Sequence, residues 1–206
     1  KHNNKLDYRG NLVARLDENE WLEVPGTTGT DQRLAFASWT VEARFRFRLG
    51  DTERGDLDLA SRAVGDELLL VRRAFEGASA VATVDVNYAI GLKVGDTGDG
   101  KYVYPFAAWH NTTDEDPARA MKRTVKVSDK RLKESQWYHL AASYDAATRT
   151  FTLYLDGIPV AQQVAVTGYC PTVLPTKTPH VRVGEGYAGD IDEVRIWGVR
   201  ERTLQV

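Results

Sequence analysis

The sequence predicts an all-β protein built as a two-sheet antiparallel sandwich or jelly roll. Three observations carry this. Apolar residues recur with a period of two along much of the chain. No long stretch keeps the period of an amphipathic helix. About a dozen short runs, separated by turn-forming residues, indicate two packed sheets.

The first two strands are expected at 12–16 and 20–24. Val41, Ala43, Phe45, Phe47 and Leu49 then alternate with Thr40, Glu42, Arg44, Arg46 and Arg48, a half-buried strand with a charged outer face. Further strands are expected at 67–74, 80–94 (broken), 102–109 and 123–127. Tyr138, Leu140, Ala142 and Tyr144 alternate with Trp137, His139, Ala141 and Ser143. Phe151, Leu153 and Leu155 alternate with Thr150, Thr152 and Tyr154. Strands at 158–166, 180–183 and 190–197 complete the set.

The connections fit this order. Asp145-Ala146-Ala147-Thr148 reads as a short hairpin loop, and Asp156-Gly157 as a tight hairpin turn that needs positive φ angles. Asp96-Thr97-Gly98-Asp99-Gly100 looks like half a calcium loop but lacks the third oxygen ligand and the distant glutamate, so a hairpin turn is expected. Residues 110–122 read as a polar loop in which Asp116-Pro117 caps a short helix over Ala118–Lys122. Pro171, Pro175 and Pro179 make 167–179 irregular. Residues 184–189 form a G-x-G-x-x-G, but a strand follows instead of the helix that would hold a pyrophosphate, so a turn is expected.

Hydrophobic residues make up 42% of the 206, enough for a real core, and residues 1–206 are read as a single domain. The net charge of −2 gives no electrostatic case for nucleic acid. No apolar run approaches the ~18–20 residues of a membrane span. The lone Cys170 excludes an intrachain disulfide and a Cys-x-x-Cys zinc site. His2, His110, His139 and His180 lack metal-ligand spacing, and no G-x-S-x-G elbow is present. Asp114-Glu115-Asp116 reads as a solvated cap, and Asn111-Thr112-Thr113 is a glycosylation sequon.

Arg44, Arg46, His139, Thr152 and Tyr154 share the outward register. If their strands are neighbours, they form a polar, partly aromatic platform of the kind that binds sugars, with Arg44, His139 and Tyr154 as the ligand-binding residues. The competing reading is an ordinary solvated sheet face.

The last strand poses a question. Its even register places Asp192 with Val194 and Ile196, facing the core. A carboxylate there is costly unless it is paired, hydrogen-bonded or metal-bound. Glu193, Arg195 and Trp197 take the outer register, where Glu193 and Arg195 form a modest surface pair.

Several stretches together resemble the laminin G-like jelly-roll family of the concanavalin A-like lectin/glucanase superfamily, which is related to the pentraxins. They are Trp137-Tyr138-His139-Leu140-Ala141, Tyr144-Asp145, Leu153 to Gly157, Val183-Gly184 and Gly189 to Trp197, with Leu12–Val24 and Phe36–Ala43 at the start. The resemblance covers 6–204. It implies a concanavalin A-like sandwich acting as a non-catalytic binding or adhesion module. Its ligand would be carbohydrate or an extracellular protein, and it would belong to a larger exported bacterial protein at the cell surface, without membrane insertion. The same superfamily holds glycan hydrolases and lyases, the rival reading, and a structural spacer is the third. The resemblance also implies one structural calcium. Asp192 matches a strand-start acid that binds calcium with main-chain carbonyls, which Gly10 and Asn11 would supply; the alternative is hydrogen bonding to nearby backbone N–H groups. The chain departs from the family at Arg44, where tryptophan is frequent. Only Asp66 and Glu185 fall near the pentraxin calcium positions.

Overall fold

The computed structural model describes residues 13–26, 34, 36–50, 55–76, 86–111, 121–164 and 178–199. Among them are twelve strands and no helix. One sheet runs in the order β1 (Ala14–Leu16), β12 (Gly189–Val199), β3 (Ser38–Arg46), β8 (Tyr138–Asp145), β9 (Thr150–Leu155), β10 (Ile158–Gln163). The other runs β2 (Leu22–Pro25), β11 (Thr178–Val183), β4 (Glu67–Glu76), β5 (Val86–Asp96), β6 (Lys101–Asn111), β7 (Met121–Lys126). Every ladder within them is antiparallel. This is the expected two-sheet sandwich.

The alternation of β3 decides its faces. Trp39, Val41, Ala43 and Phe45 are buried, while Thr40, Glu42, Arg44 and Arg46 are only half-buried. Leu140, Ala142, Phe151 and Leu153 extend the inner layer of this sheet, and Tyr88, Ile90, Leu92 and Val94 supply the opposing one. Aromatic rings join the sheets: Trp39 stacks on Tyr88 at 5.0 Å and Trp109 on Tyr144 at 4.4 Å. Each such pair adds about 0.5–1.5 kcal/mol beyond the area it buries.

The turns follow their residues. Asp156 and Gly157 have φ of 52° and 77°, the two successive positive values of a tight primed hairpin, and they join β9 to β10. Thr97–Gly100 turns β5 into β6, with the Gly98 N–H donating to Asp96 Oδ1 at 2.7 Å. The glycine-rich segment 184–188 turns β11 into β12.

Three expectations are corrected. β3 ends at Arg46, so Leu49 leaves the strand: it forms an isolated bridge with Leu57, and its N–H donates to Glu134 Oε2 at 3.1 Å. Met121 and Lys122 belong to strand β7, paired with Asn111 and His110, and do not end a helix. The remainder of that expected helix, from Ala118, lies outside the described residues, as do Cys170 and Gly10-Asn11.

The third correction concerns Asp192, which does not face the core. Asp192 pairs with Arg44 and Arg195 with Glu42, so Glu193 and Val194 together oppose the single residue Ala43. This is a β-bulge, and Glu193 takes φ 50° to make it. The extra residue reverses the parity. Before the bulge Ile191 is buried and Asp192 shares the outward face of Arg44; after it Val194 and Ile196 pack on the core. The Asp192 Oδ1 accepts the Glu193 N–H at 2.8 Å and so braces the turn of the bulge.

Candidate binding face

The two outer faces differ. On the second sheet Ala89, Tyr104, Phe106 and Ala108 stand in the register opposite the core, yet all are buried. The outer face of the first sheet is the more open one, and it carries the residues singled out by sequence.

The order β12–β3–β8–β9 makes those strands neighbours. Arg44 lies directly across from His139, and Tyr154 directly across from Ala141. The diagonal neighbours His139 and Tyr154 are therefore about 7–8 Å apart by strand geometry. The structure thus brings Arg44, His139 and Tyr154 onto one face, as expected. Thr152 is different: it is buried, and its Oγ1 accepts a hydrogen bond from Gln162 Nε2 at 3.1 Å.

Glu42 is the hub of the face. Its Oε2 is 3.1 Å from His139 Nε2, and its Oε1 accepts the Trp197 indole N–H at 3.1 Å and Arg195 Nη1 at 3.4 Å. Burial alone would raise its pKa, but the Trp197 N–H, His139 and Arg195 outweigh it and hold the carboxyl below its ordinary value. Trp197 itself is 58% exposed.

The arginines are engaged by carboxylates on the same sheet. Arg195 Nη2 reaches Glu193 Oε2 at 3.2 Å, the expected surface pair, and Arg44 Nη1 reaches Glu193 Oε1 at 3.5 Å. Arg46 donates to Asp190 Oδ2 from Nε at 2.9 Å and Nη2 at 2.6 Å, with Arg48 Nη2 at 3.6 Å. Trp137 lies under two guanidinium groups, 5.7 Å from Arg44 and 4.8 Å from Arg46. The His139 backbone is fixed too: its N–H donates to Asp156 Oδ1 and its carbonyl accepts the Asp156 N–H, both at 2.8 Å.

Glu42, Trp137 and Trp197 join this face although the sequence did not single them out. Their outward register was readable in the sequence. What was not readable was that β12 adjoins β3 and so brings Trp197 to Glu42.

A laminin G family profile, described as the concanavalin A-like lectin/glucanases superfamily, matches residues 17–205. The chain belongs to this superfamily. Similar solved folds include a heptameric SAP-like pentraxin of Limulus polyphemus, at 11% identity over 94% of this chain and 78% of that one, TM-score 0.52. Another is the CBM40 domain of the Ruminococcus gnavus IT-sialidase bound to α2,3-sialyllactose, at 12% identity over 91% and 92%, TM-score 0.50. At these identities the likeness is one of fold. A comparison with curated protein sequences finds no match.

In this concanavalin A-like chain the two acids near the pentraxin calcium positions are otherwise occupied. Glu185 is bound by Arg72 and Arg182, and Asp66 Oδ2 accepts the Ala63 N–H at 2.9 Å. Among the described residues no three His, Cys, Asp or Glu side chains gather as a metal site. Asp192 fits a calcium only as a single carboxylate ligand, with Oδ1 already on the Glu193 N–H and Oδ2 left to take part. No described helix is long and apolar enough to cross a membrane.

Proposed function

We propose that the chain is a non-catalytic carbohydrate-binding module whose ligand lies on the outer face of β12–β3–β8–β9, at Arg44, His139 and Tyr154 together with Glu42 and Trp197. The observation that carries this reading is Trp197. Its indole is exposed, yet its orientation is fixed by the bond from Nε1 to Glu42. A large apolar ring held open beside polar groups is suited to stacking against the apolar face of a sugar. The fold likeness to a sialidase carbohydrate-binding domain agrees with it.

The lowered carboxyl of Glu42 does not suit the general-acid role in glycoside hydrolysis, and among the described residues nothing marks a second, raised carboxyl to supply it. By the same reading the module works outside the cell as part of a larger bacterial surface protein, with adhesion as its role. One calcium at Asp192 is retained as a proposal for its stability. A surface-protein ligand would use the same face.

A glycan array followed by calorimetry on Tyr154→Ala tests the reading. Binding should be weak for a single site with few polar contacts, and weaker still in the variant. Unchanged affinity would move the site elsewhere. Release of reducing sugar or unsaturated product from any glycan, abolished by Glu42→Gln, would make the chain an enzyme.

A further inference from the structure

The layout of charge and side-chain size deepens the proposed function, on which this inference rests. We propose that the ligand is a neutral oligosaccharide laid across the strands, from Trp197 on β12 to Tyr154 on β9.

The span comes from the sheet. β12, β3, β8 and β9 are consecutive, so Trp197 and Tyr154 are three strand spacings apart across the sheet and two residues apart along it, about 16 Å in all. Between them on the same face stand Thr40 and Glu42 of β3 and Ser143 and Ala141 of β8: Trp197 pairs with Thr40 and Thr40 with Ser143, while Tyr154 pairs with Ala141 and Ala141 with Glu42. Two aromatic rims thus flank a floor of three small side chains and the Glu42 carboxylate. A single sugar ring would touch only one rim, whereas a short chain reaches both.

The charge comes from the pairing. Arg195 is held by Glu42 and Glu193, Arg44 by Glu193, and Arg46 by Asp190. An acidic ligand would have to displace these carboxylates and would lie beside the ionised Glu42. Like charges facing each other across an interface cost affinity. A neutral sugar has no such conflict. Its hydroxyls can donate to Glu42 and can both donate to and accept from the hydroxyls of Thr40 and Ser143.

Calorimetry on the chain tests this with two probe sets. One holds neutral oligosaccharides of β-linked glucose, xylose and mannose, with their monosaccharides. The other holds oligosaccharides of galacturonate and mannuronate. The expected result is binding of a neutral oligosaccharide, at least about tenfold weaker binding of its monosaccharide, and a loss of about tenfold in each of Trp197→Ala and Tyr154→Ala. Trp197→Phe should recover part of the loss, which separates stacking from a folding defect. Tighter binding of an acidic oligosaccharide, still lost in Trp197→Ala, would overturn the neutral class and leave the binding face standing. Neutral binding unchanged in both alanine variants would overturn the face itself. Binding of no probe would overturn both.

Discussion

Asp192 of β12 pairs with Arg44 of β3, while the next paired residue of β12, Arg195, faces Glu42. Those two pairings fix the register of the last strand on both sides of its bulge. They place Asp192 outside, Val194 and Ile196 inside, and Arg195 and Trp197 against Glu42. The proposed binding face therefore depends on one extra residue in β12.

Glu193 holds that residue's left-handed backbone at φ 50°. For a residue with a Cβ this conformation costs about 1–2 kcal/mol. Glycine would remove the strain but also the surface pairs to Arg44 and Arg195, each of about 0–1 kcal/mol. Glu193→Gly should thus change stability by less than about 1 kcal/mol. Glu193→Val should cost more, about 1–2 kcal/mol, because a branched side chain tolerates positive φ poorly. Urea denaturation of the two variants checks the ordering; equal midpoints would show that the bulge conformation carries no strain.

The strands were legible because period two is a strong signal wherever one face is buried, as in Val41, Ala43 and Phe45. The bulge left a trace that the single-register reading ignored. Ile191 is apolar on the odd parity, whereas Val194 and Ile196 are apolar on the even one, so an extra residue had to intervene. No glycine marks the spot, because Glu193 itself takes the positive φ. The shared outward face of Arg44, His139 and Tyr154 was readable because outward register needs only local pattern. The Glu42–Trp197 bond joins residues 155 positions apart and depends on which strands adjoin, which period alone does not reveal.

Asp190 and Glu193 both hold arginines, but in different surroundings. Asp190 is buried and accepts two bonds from Arg46, whose side chain is 29% exposed. Removing one partner of a buried pair costs about 3–5 kcal/mol, and the partial exposure of Arg46 reduces this to about 2–3 kcal/mol for Asp190→Ala. The Arg44–Glu193 pair is exposed on both sides at 3.5 Å, so Arg44→Ala should cost less than about 1 kcal/mol. Denaturant midpoints of the two variants measure the contrast. Comparable losses would mean that Asp190 is effectively solvated.

Glu42 and Glu23 both have carboxyls lowered from the ordinary value of 4.5. For Glu23 the hydrogen bond from Arg182 is the largest cause; for Glu42 its bonded partners overcome burial. A carboxyl that is harder to protonate when folded stabilises the fold above its unfolded pKa. That contribution is lost as pH falls through the ordinary glutamate range toward the lowered folded values. The urea midpoint should therefore drop between neutral pH and about pH 3, and Glu42→Gln should flatten part of the drop. A Glu42→Gln curve parallel to wild type would show that the hub does not contribute to acid sensitivity.

The proposed calcium makes the last prediction, and the bulge sharpens it. Asp192 gives Oδ1 to the Glu193 N–H, so a bound ion would use Oδ2 and would need most of its six to eight oxygens from main-chain carbonyls and water. Asparagine at this position can still accept the Glu193 N–H through its amide oxygen, so Asp192→Asn preserves the brace while removing the charge that a cation needs. The two roles therefore separate in one variant. A metal bound only by the folded state stabilises it by about 2.7 kcal/mol at a hundredfold excess over Kd. Wild type should melt at a higher temperature in calcium than in chelator, and Asp192→Asn should melt at the same temperature in both, close to chelated wild type. If wild type melts identically in the two buffers and elemental analysis finds no metal, Asp192 serves the bulge alone. In that case Asp192→Ala, which removes the acceptor of the Glu193 N–H, should be less stable than Asp192→Asn.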